Sequence, residues 1–166
     1  MTDRITFRPA QAGDFEFCQR LYLEGMGWII ERLQLDIKQQ YKSFANQWKP
    51  GEVRLILVAG EDAGWLQTTP ADDAIFLGQL YLTKSFQGQG IGSYIVQFLI
   101  DEARSDRKAI TLGVVKINPA RQLYERLGFR ATHEDQYKVY MRREPDAIKI
   151  AVQNSKWPHL DLSILK

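Results

Sequence analysis

Three glycines stand close together in the segment Gln87-Gly88-Gln89-Gly90-Ile91-Gly92-Ser93, between a predicted strand and a predicted helix. Successive glycines let the backbone expose several N–H groups on one side, and the following helix adds its positive N-terminal end. Such a turn suits a pyrophosphate, and a ligand can approach closely because Gly90 and Gly92 lack Cβ atoms. The alternative is a loop whose glycines only make a tight turn.

The spacing of these glycines does not match the common nucleotide motifs. A dinucleotide-binding turn has the pattern G-x-G-x-x-G near the start of the fold. Counted from Gly88, its third glycine would be residue 93, which is Ser93. The turn also follows predicted antiparallel strands, and the chain has no G-x-x-x-x-G-K-[ST] motif. These observations disfavour a nucleotide-binding module.

A second motif lies about 25 residues further on, from Asn118 to Phe129. Asn118 suits a helix N-cap, Pro119 the first helical position and Gly128 the position after the last turn. In that arrangement Phe129 can pack back onto Tyr124. Taken alone, Asn118 is a capping residue and Tyr124 is more often a core aromatic of an amphipathic helix.

The surrounding pattern predicts an α+β domain with a mixed sheet. Short segments of β-branched and apolar residues predict seven strands, at residues 4–8, 53–59, 64–69, 74–82, 109–115, 130–134 and 137–142. Helices are predicted from near Asp14, over residues 36–48 with Asp36 as N-cap, after the glycine turn, and over residues 118–127. Trp28, Ile29 and Ile30 form an apolar patch after two glycines.

Together the two motifs resemble those of the GNAT superfamily of N-acetyltransferases. Its signature [Gln/Arg]-x-x-Gly-x-[Gly/Ala] after the fourth strand is matched by Gln87, Gly90 and Gly92, and the pattern Leu-Tyr-x-x-x-Gly-Phe by residues 123–129. The resemblance covers about residues 4–143, with Lys84 where a proline is common. It implies a mostly antiparallel central sheet flanked by helices, with splayed fourth and fifth strands. It also implies acetyl-CoA as co-substrate.

The resemblance implies roles for particular residues. The cofactor-binding set is Leu80, Leu82, Gln87, Gly88, Gln89, Gly90, Ile91, Gly92, Ser93, Asn118, Arg121 and Tyr124. The turn would cradle the pyrophosphate, with a hydroxyl from Ser93. The backbone at Leu80 and Leu82 would pair with the pantetheine arm, Asn118 would bond the same region, and Arg121 would reach an anionic part of the cofactor. Tyr124 would be catalytic, protonating the departing CoA thiolate as a general acid.

The sequence does not identify a general base. Glu24, Glu31, Asp72, Asp73 and His133 are candidates, although each is more often a solvated surface group. Gln79 and Tyr81 on the fourth strand could instead orient a water. The acceptor side is expected near the first two helices, Trp28 and Trp65. At their helical spacing Tyr41, Phe44 and Trp48 are expected to pack on the sheet.

Composition limits the remaining classes. The chain has 166 residues, Cys18 as its single cysteine, two histidines and a net charge of +2. This predicts one domain without a disulfide or metal site, no nucleic-acid partner, no membrane span and a cytoplasmic location. The domain is expected over residues 1–144. The C-terminal extension, 145–166, is expected to add a strand through Ile148, Ile150 and Val152, to form a homodimer contact or to be a flexible end.

The function these patterns favour is transfer of an acetyl group from acetyl-CoA to a primary amine of a small molecule or peptide. The alternative is a GNAT-like domain that binds acyl-CoA as a sensor or structural ligand without turnover.

Overall fold

The computed structural model describes residues 4–146, and the boundaries of its helices and strands follow the sequence closely. The strands are β1 (Ile5–Pro9), β2 (Val53–Val58), β3 (Glu61–Pro70), β4 (Ala74–Leu82), β5 (Ala109–Val115), β6 (Arg130–Glu134) and β7 (Lys138–Arg143). The helices are α1 (Phe15–Arg32), α2 (Ile37–Gln47), α3 (Ile91–Ser105) and α4 (Ala120–Arg126). Short 3-10 turns occupy Ala12–Asp14, Pro50–Glu52 and Lys84–Phe86.

The seven strands form one sheet in the order β1-β2-β3-β4-β5-β7-β6. All neighbouring pairs are antiparallel except β4 and β5, which are parallel because α3 crosses over between them. The predicted α+β class and mixed, mostly antiparallel sheet are confirmed.

Each face of the sheet is covered by helices, so neighbouring residues of one strand enter different cores. In β2, Leu55 faces the core under α1 and α2, whereas Ile56 faces the core under α3. Trp65 and Leu66 of β3 divide in the same way. This alternation follows from the two-residue period of a strand. Helix α4 packs on the α3 face, with Tyr124 and Leu127 against that core.

The predicted separation of β4 and β5 is also present. The two strands pair only from Ala74↔Ala109 to Leu77↔Leu112. At the next residue of β4, Gly78, the register with β3 shifts, since Leu77 pairs with Thr68 and Gln79 with Gln67. An extra residue of this kind bends its strand. From Gly78 onward, β4 keeps its pairing with β3 and leaves β5.

Helix α1 begins where it is predicted and extends beyond the residues that predict it. Helix α1 continues through Trp28 to Ile30, because Ile29 and Ile30 are buried at helical spacing from Tyr22. Asp14 stands at the N-cap position of α1, as predicted, but its side chain accepts from no N–H group of that helix. It accepts hydrogen bonds from the Arg8 guanidinium at 2.9 and 3.0 Å instead. The same ion pair lowers the pKa of the Asp14 carboxyl.

Helix α2 begins as predicted but packs differently at one position. Asp36 caps it by accepting from the Lys38 N–H at 2.9 Å. Phe44 is buried and Trp48 half-buried, whereas the Tyr41 side chain is 44% exposed rather than packed on the sheet. The predicted extension from residue 145 lies almost entirely outside the described residues. Ile148, Ile150 and Val152 fall there. Within residues 4–146, no helix is long and apolar enough to cross a bilayer.

Candidate functional site: a cleft between two splayed strands

The glycine turn presents open backbone at the N-terminus of α3. Gly88 and Gly90 have φ of +71° and +79°, a conformation that glycine adopts without the strain of a Cβ atom. No heavy atom lies within 4 Å of where a Cβ would stand at Gly88, Gly90 or Gly92. Because Ile91, Gly92 and Ser93 form the first helical turn, their N–H groups have no helical acceptor.

Two side chains of the turn are used to hold its shape. The Gln87 Nε2 donates to the Leu82 carbonyl at 3.0 Å, and the Gln89 Nε2 donates to the Ser85 carbonyl at 2.7 Å. Among residues 4–146, no backbone carbonyl accepts from the N–H groups of Gly88, Gln89 or Gly90. The turn is therefore a preformed, uncapped set of donors that fits a pyrophosphate.

A cavity of about 390 Å³ occupies the gap between β4 and β5. It passes from α4 on one face of the sheet to α1 and α2 on the other. Its lining includes Tyr22, Met26, Ile29, Gln40, Ser43, Gln47, Leu77, Gly78, Gln79, Leu80, Tyr81, Gly113, Val115, Asn118, Tyr124, Tyr137 and Lys138. Here, beyond Leu77, the cleft-facing edge of β4 is not paired with β5.

Tyr124 brings an ionisable phenol into this cleft. Its ring packs edge-on against Phe129, with 5.7 Å between centroids, as the sequence predicts. Burial raises the pKa of Tyr124 above its ordinary value near 10, so the phenol keeps its proton at neutral pH. A protonated hydroxyl at this position is suited to donate a proton within the cleft.

The other predicted cofactor residues divide into two groups. Leu80 and Asn118 line the cleft, and the Asn118 Oδ1 also accepts from the Ala120 N–H at 2.9 Å, which is the capping role. Arg121 does not line the cleft, and its Nε lies 2.7 Å from the Glu125 Oε1. Leu82 lies beyond the cleft, with its carbonyl bonded to Gln87.

The two tryptophans expected near the acceptor side lie away from the cleft. The Trp65 side chain is fully buried, and Trp28 is 43% exposed on the outside of α1; neither lines the cleft. The candidate bases Glu24, Glu31, Asp72, Asp73 and His133 are all exposed and none lines the cleft.

The side of the cleft that faces α1 and α2 is built around Tyr81. Its ring lies 5.5 Å from Trp65 and 5.8 Å from Tyr22, between centroids, and the absence of a side chain at Gly25 makes room for it. Burial raises the pKa of Tyr81 far above its ordinary value. Sequence reasoning missed Tyr22, Met26 and Gln40 as lining residues. Spacing along each helix could have indicated a shared face, but not what that face contacts.

No cluster of three or more metal-ligating side chains occurs in the part of the chain that the structure describes. The polar groups that the site offers include backbone N–H groups of the glycine turn and tyrosine hydroxyls in the cleft.

The comparisons with known proteins agree with this geometry. Residues 52–131, from the turn before β2 into β6, match the family model of the acetyltransferase (GNAT) domain. Members of that family use acetyl-CoA. A comparison with curated protein sequences finds no match.

Solved structures share the fold at low identity. A PaiA N-acetyltransferase from Thermoplasma acidophilum, in complex with coenzyme A, is 13% identical with a TM-score of 0.62, covering 84% of this chain and 98% of its own. Ard1 from Thermoplasma volcanium is 16% identical with a TM-score of 0.64, covering 87% and 99%. A GNAT-family acetyltransferase from Listeria monocytogenes is 19% identical with a TM-score of 0.60, covering 84% and 94%.

At these identities the structural likeness shows a shared fold, and the family match adds the sequence signature of that fold. The match includes both the glycine turn and the Asn118 to Phe129 motif. Residues 52–131, just under half of the chain, therefore match the acetyltransferase (GNAT) domain family in sequence, and the fold agrees with that match.

Proposed function

We propose that the protein is an N-acetyltransferase that moves the acetyl group of acetyl-CoA directly to a primary amine of a small molecule or peptide. The observation that carries this proposal is the placement of three features along β4, its glycine turn and the cleft beside it. These are the open donors of the glycine turn, the cleft-facing edge of β4 beyond Leu77, and the protonated phenol of Tyr124.

The cofactor site in this proposal consists of the predicted residues. The backbone of Gln87 to Gly92 and the Ser93 hydroxyl hold the pyrophosphate. The backbone at Leu80 and Leu82 and the Asn118 side chain border the pantetheine arm. Arg121 would have to leave Glu125 to reach a phosphate of the cofactor.

In the reaction, the amine nitrogen bonds to the thioester carbonyl carbon, and the carbon–sulfur bond breaks with its electron pair passing to sulfur. The attacking amine is neutral and loses a proton to water, Tyr124 gives its proton to the sulfur, and the Tyr124 phenolate then regains a proton from water. Tyr124 is suited to this step because burial raises its pKa, so it carries a proton throughout the neutral range.

Replacing Tyr124 by Phe tests the acid role. A general acid contributes about a hundredfold or more in rate, so Tyr124→Phe should lower kcat by about that factor. Calorimetry should show acetyl-CoA affinity within about twofold of the original protein, because affinity depends mainly on the turn. Tyr41→Phe, on the exposed side of α2, is the matched control and should leave both quantities unchanged. Unchanged kcat in Tyr124→Phe would remove the acid role.

One observation favours the alternative, an acyl-CoA-binding domain without turnover. Neither a carboxylate nor an imidazole is among the side chains that line the cleft in the described residues. Two measurements distinguish the enzyme from the binding domain. The first is a titration with acetyl-CoA, with ATP and NAD as controls, and the second is an amine screen for thiol release. Selective binding without release of CoA for any amine would favour the sensor. The cytoplasmic location and a homodimer formed through the C-terminal extension stay predictions.

A further inference from the structure

We infer that the acceptor is an amine with an apolar body and no second positive charge, so that polyamines and other polycations are poor substrates. This inference rests on the proposed function and concerns the α1 and α2 side of the same cleft. It follows from the side chains that line that side and from the charge they carry.

The wall that α1 contributes is apolar. Tyr22, Met26 and Ile29 face the cleft from successive turns of the helix, and Leu33 and Leu35 continue the wall into the following loop. Tyr81 closes it from the sheet. An apolar group of the acceptor that lies here leaves water, and each buried methylene contributes about 0.8 kcal/mol.

The wall that α2 contributes is polar but uncharged. Gln40, Ser43 and Gln47 stand at positions i, i+3 and i+7, so they share one face of the helix, and all three line the cleft. The Gln40 Oε1 accepts from the Tyr22 hydroxyl at 3.1 Å. These groups can exchange hydrogen bonds with an amide or a hydroxyl, but they offer no full charge to pair with an ammonium group.

The one ionised side chain among the described residues that line the cleft is Lys138. Its Cδ lies 3.7 Å from the position that a Cβ on Gly113 would take, so its alkyl part runs along β5. The hairpin that carries it is fixed by Asp135, whose Oδ1 accepts from the Lys138 N–H at 2.7 Å. The Asp135 Oδ2 accepts from the Tyr140 hydroxyl at 2.9 Å.

Asp135 interacts with the Lys138 charge from the hairpin, but its carboxylate does not line the cleft. Glu24 and Glu31 lie on the exposed outer side of α1, and Glu134 pairs with Lys116 at 3.1 Å. A second ammonium on the acceptor would therefore lose hydration against an apolar wall without a partner, or would approach Lys138 and be repelled. An acceptor that is neutral apart from its reacting amine meets neither cost.

Matched amines test the inference by thiol release with acetyl-CoA. Hexylamine and hexamethylenediamine have the same chain and differ by one ammonium group. We expect kcat/KM to be about tenfold higher for hexylamine, as repulsion between two partly screened charges predicts. Two short peptides that begin with Leu, one with Ala and one with Lys at the second position, form the second pair. A higher kcat/KM for hexylamine than for the Ala peptide indicates a small-molecule acceptor, and the reverse indicates a peptide acceptor.

Reversing the charge of the lysine gives an independent readout. Lys138→Glu should remove or reverse the preference for the monoamine, and Lys138→Gln should reduce it. Lys116→Glu changes the net charge equally but lies outside the lining, so it should leave the preference as it is. Equal or better turnover of the diamine by the original protein would overturn the inference while supporting the proposed function.

If the protein binds CoA but acetylates none of these amines, the affinities for the acetylated products test the inference instead. Calorimetry of the CoA complex with N-hexylacetamide and with the monoacetylated diamine compares the same two bodies. Tighter binding of N-hexylacetamide, lost in Lys138→Glu, supports the inference, and equal affinities overturn it. A folded protein that does not bind CoA overturns the proposed function and the inference together.

Discussion

The two halves of the candidate site, the glycine turn and the α1 and α2 side of the cleft, are built from different materials. On the α3 side, the glycine turn offers backbone N–H groups, and the residues that shape it lie within a short stretch of chain from Leu82 to Ser93. On the α1 and α2 side, the lining is made of side chains from α1, α2, β4 and the β6–β7 hairpin. The first half is a local structure, whereas the second exists only after distant elements have packed.

This difference explains why a ligand common to a family can be tied to one half and individual specificity to the other. Backbone donors are the same for almost any sequence that can adopt the turn, so the turn depends on glycine and little else. A pocket of side chains can change with every substitution in four separate elements. Alanine substitutions at matched pairs of glycines can test the two halves independently.

The largest effect on stability is expected within α1, where the Cβ position of one glycine is crowded and that of another is open. A Cβ on Gly25 would lie 2.6 Å from the Tyr81 Cδ1, and that ring is held by Trp65 and Tyr22. Gly25→Ala should therefore destabilise the fold by about 1–3 kcal/mol, and any active fraction should lose acceptor kcat/KM but keep its CoA affinity.

Gly27→Ala is the control in the same helix, because nothing lies within 4 Å of its Cβ position. Alanine is the better helix former, so this variant should be up to about 1 kcal/mol more stable. Urea unfolding of both variants measures the difference. Equal stability of the two would show that Tyr81 moves aside freely and that the acceptor wall is not fixed as described.

The next effect concerns the glycine turn and is expected to leave the acceptor side intact. Gly90→Ala forces a Cβ into a left-handed backbone conformation, which costs about 1–2 kcal/mol and favours a rearranged turn. Acetyl-CoA should bind about tenfold more weakly by calorimetry, since the N–H groups lose their alignment.

The matched control is Gly60→Ala in the turn between β2 and β3. Gly60 has φ of +83° and open space around its Cβ position, so it carries the same strain without a place in the cleft. It should lose similar stability and keep its CoA affinity. A loss of CoA affinity in both variants would mean that general destabilisation, and not the turn, explains the effect of Gly90→Ala.

The smallest effect is a pH dependence that comes from the phenols of the acceptor half and of Tyr124. Burial raises the pKa of Tyr22, Tyr81 and Tyr124 in the folded protein. In the unfolded chain they ionise near pH 10, so the unfolded state releases protons first as the pH rises. Their contribution to stability is therefore complete below about pH 10 and is lost above it.

Urea unfolding at about pH 8 and about pH 11 measures that loss. Tyr22→Phe removes one of the three phenols and should reduce the difference between the two pH values. Tyr41→Phe removes an exposed phenol and should not change it. An identical alkaline loss in the original protein and in Tyr22→Phe would contradict the assignment to Tyr22.

Much of the fold was predictable because its signals are local. The ranges predicted for β4, β5 and β6 match the structure, since β-branched segments there are bounded by turns. The start of α2 at Asp36 and the contact between Tyr124 and Phe129 were predicted from capping residues and from Gly128. The end of α1 was not, because the burial of Ile29 and Ile30 that extends the helix depends on tertiary packing.

The sequence by itself determined where an anion could be held, because positive φ angles at Gly88 and Gly90 and a helix start are properties of a few adjacent residues. It also determined the phenol on α4 through the motif that surrounds it. Only the tertiary structure decided which side chains face the acceptor. It placed Trp65 in the core, put Tyr81 over Gly25, and left Lys138 as the one charge in the described lining. The physical reason is that successive side chains of a strand point to opposite faces of the sheet, whereas those of a helix point in successive directions around its axis. A side chain's surroundings therefore depend on register and packing between residues that lie far apart in the chain.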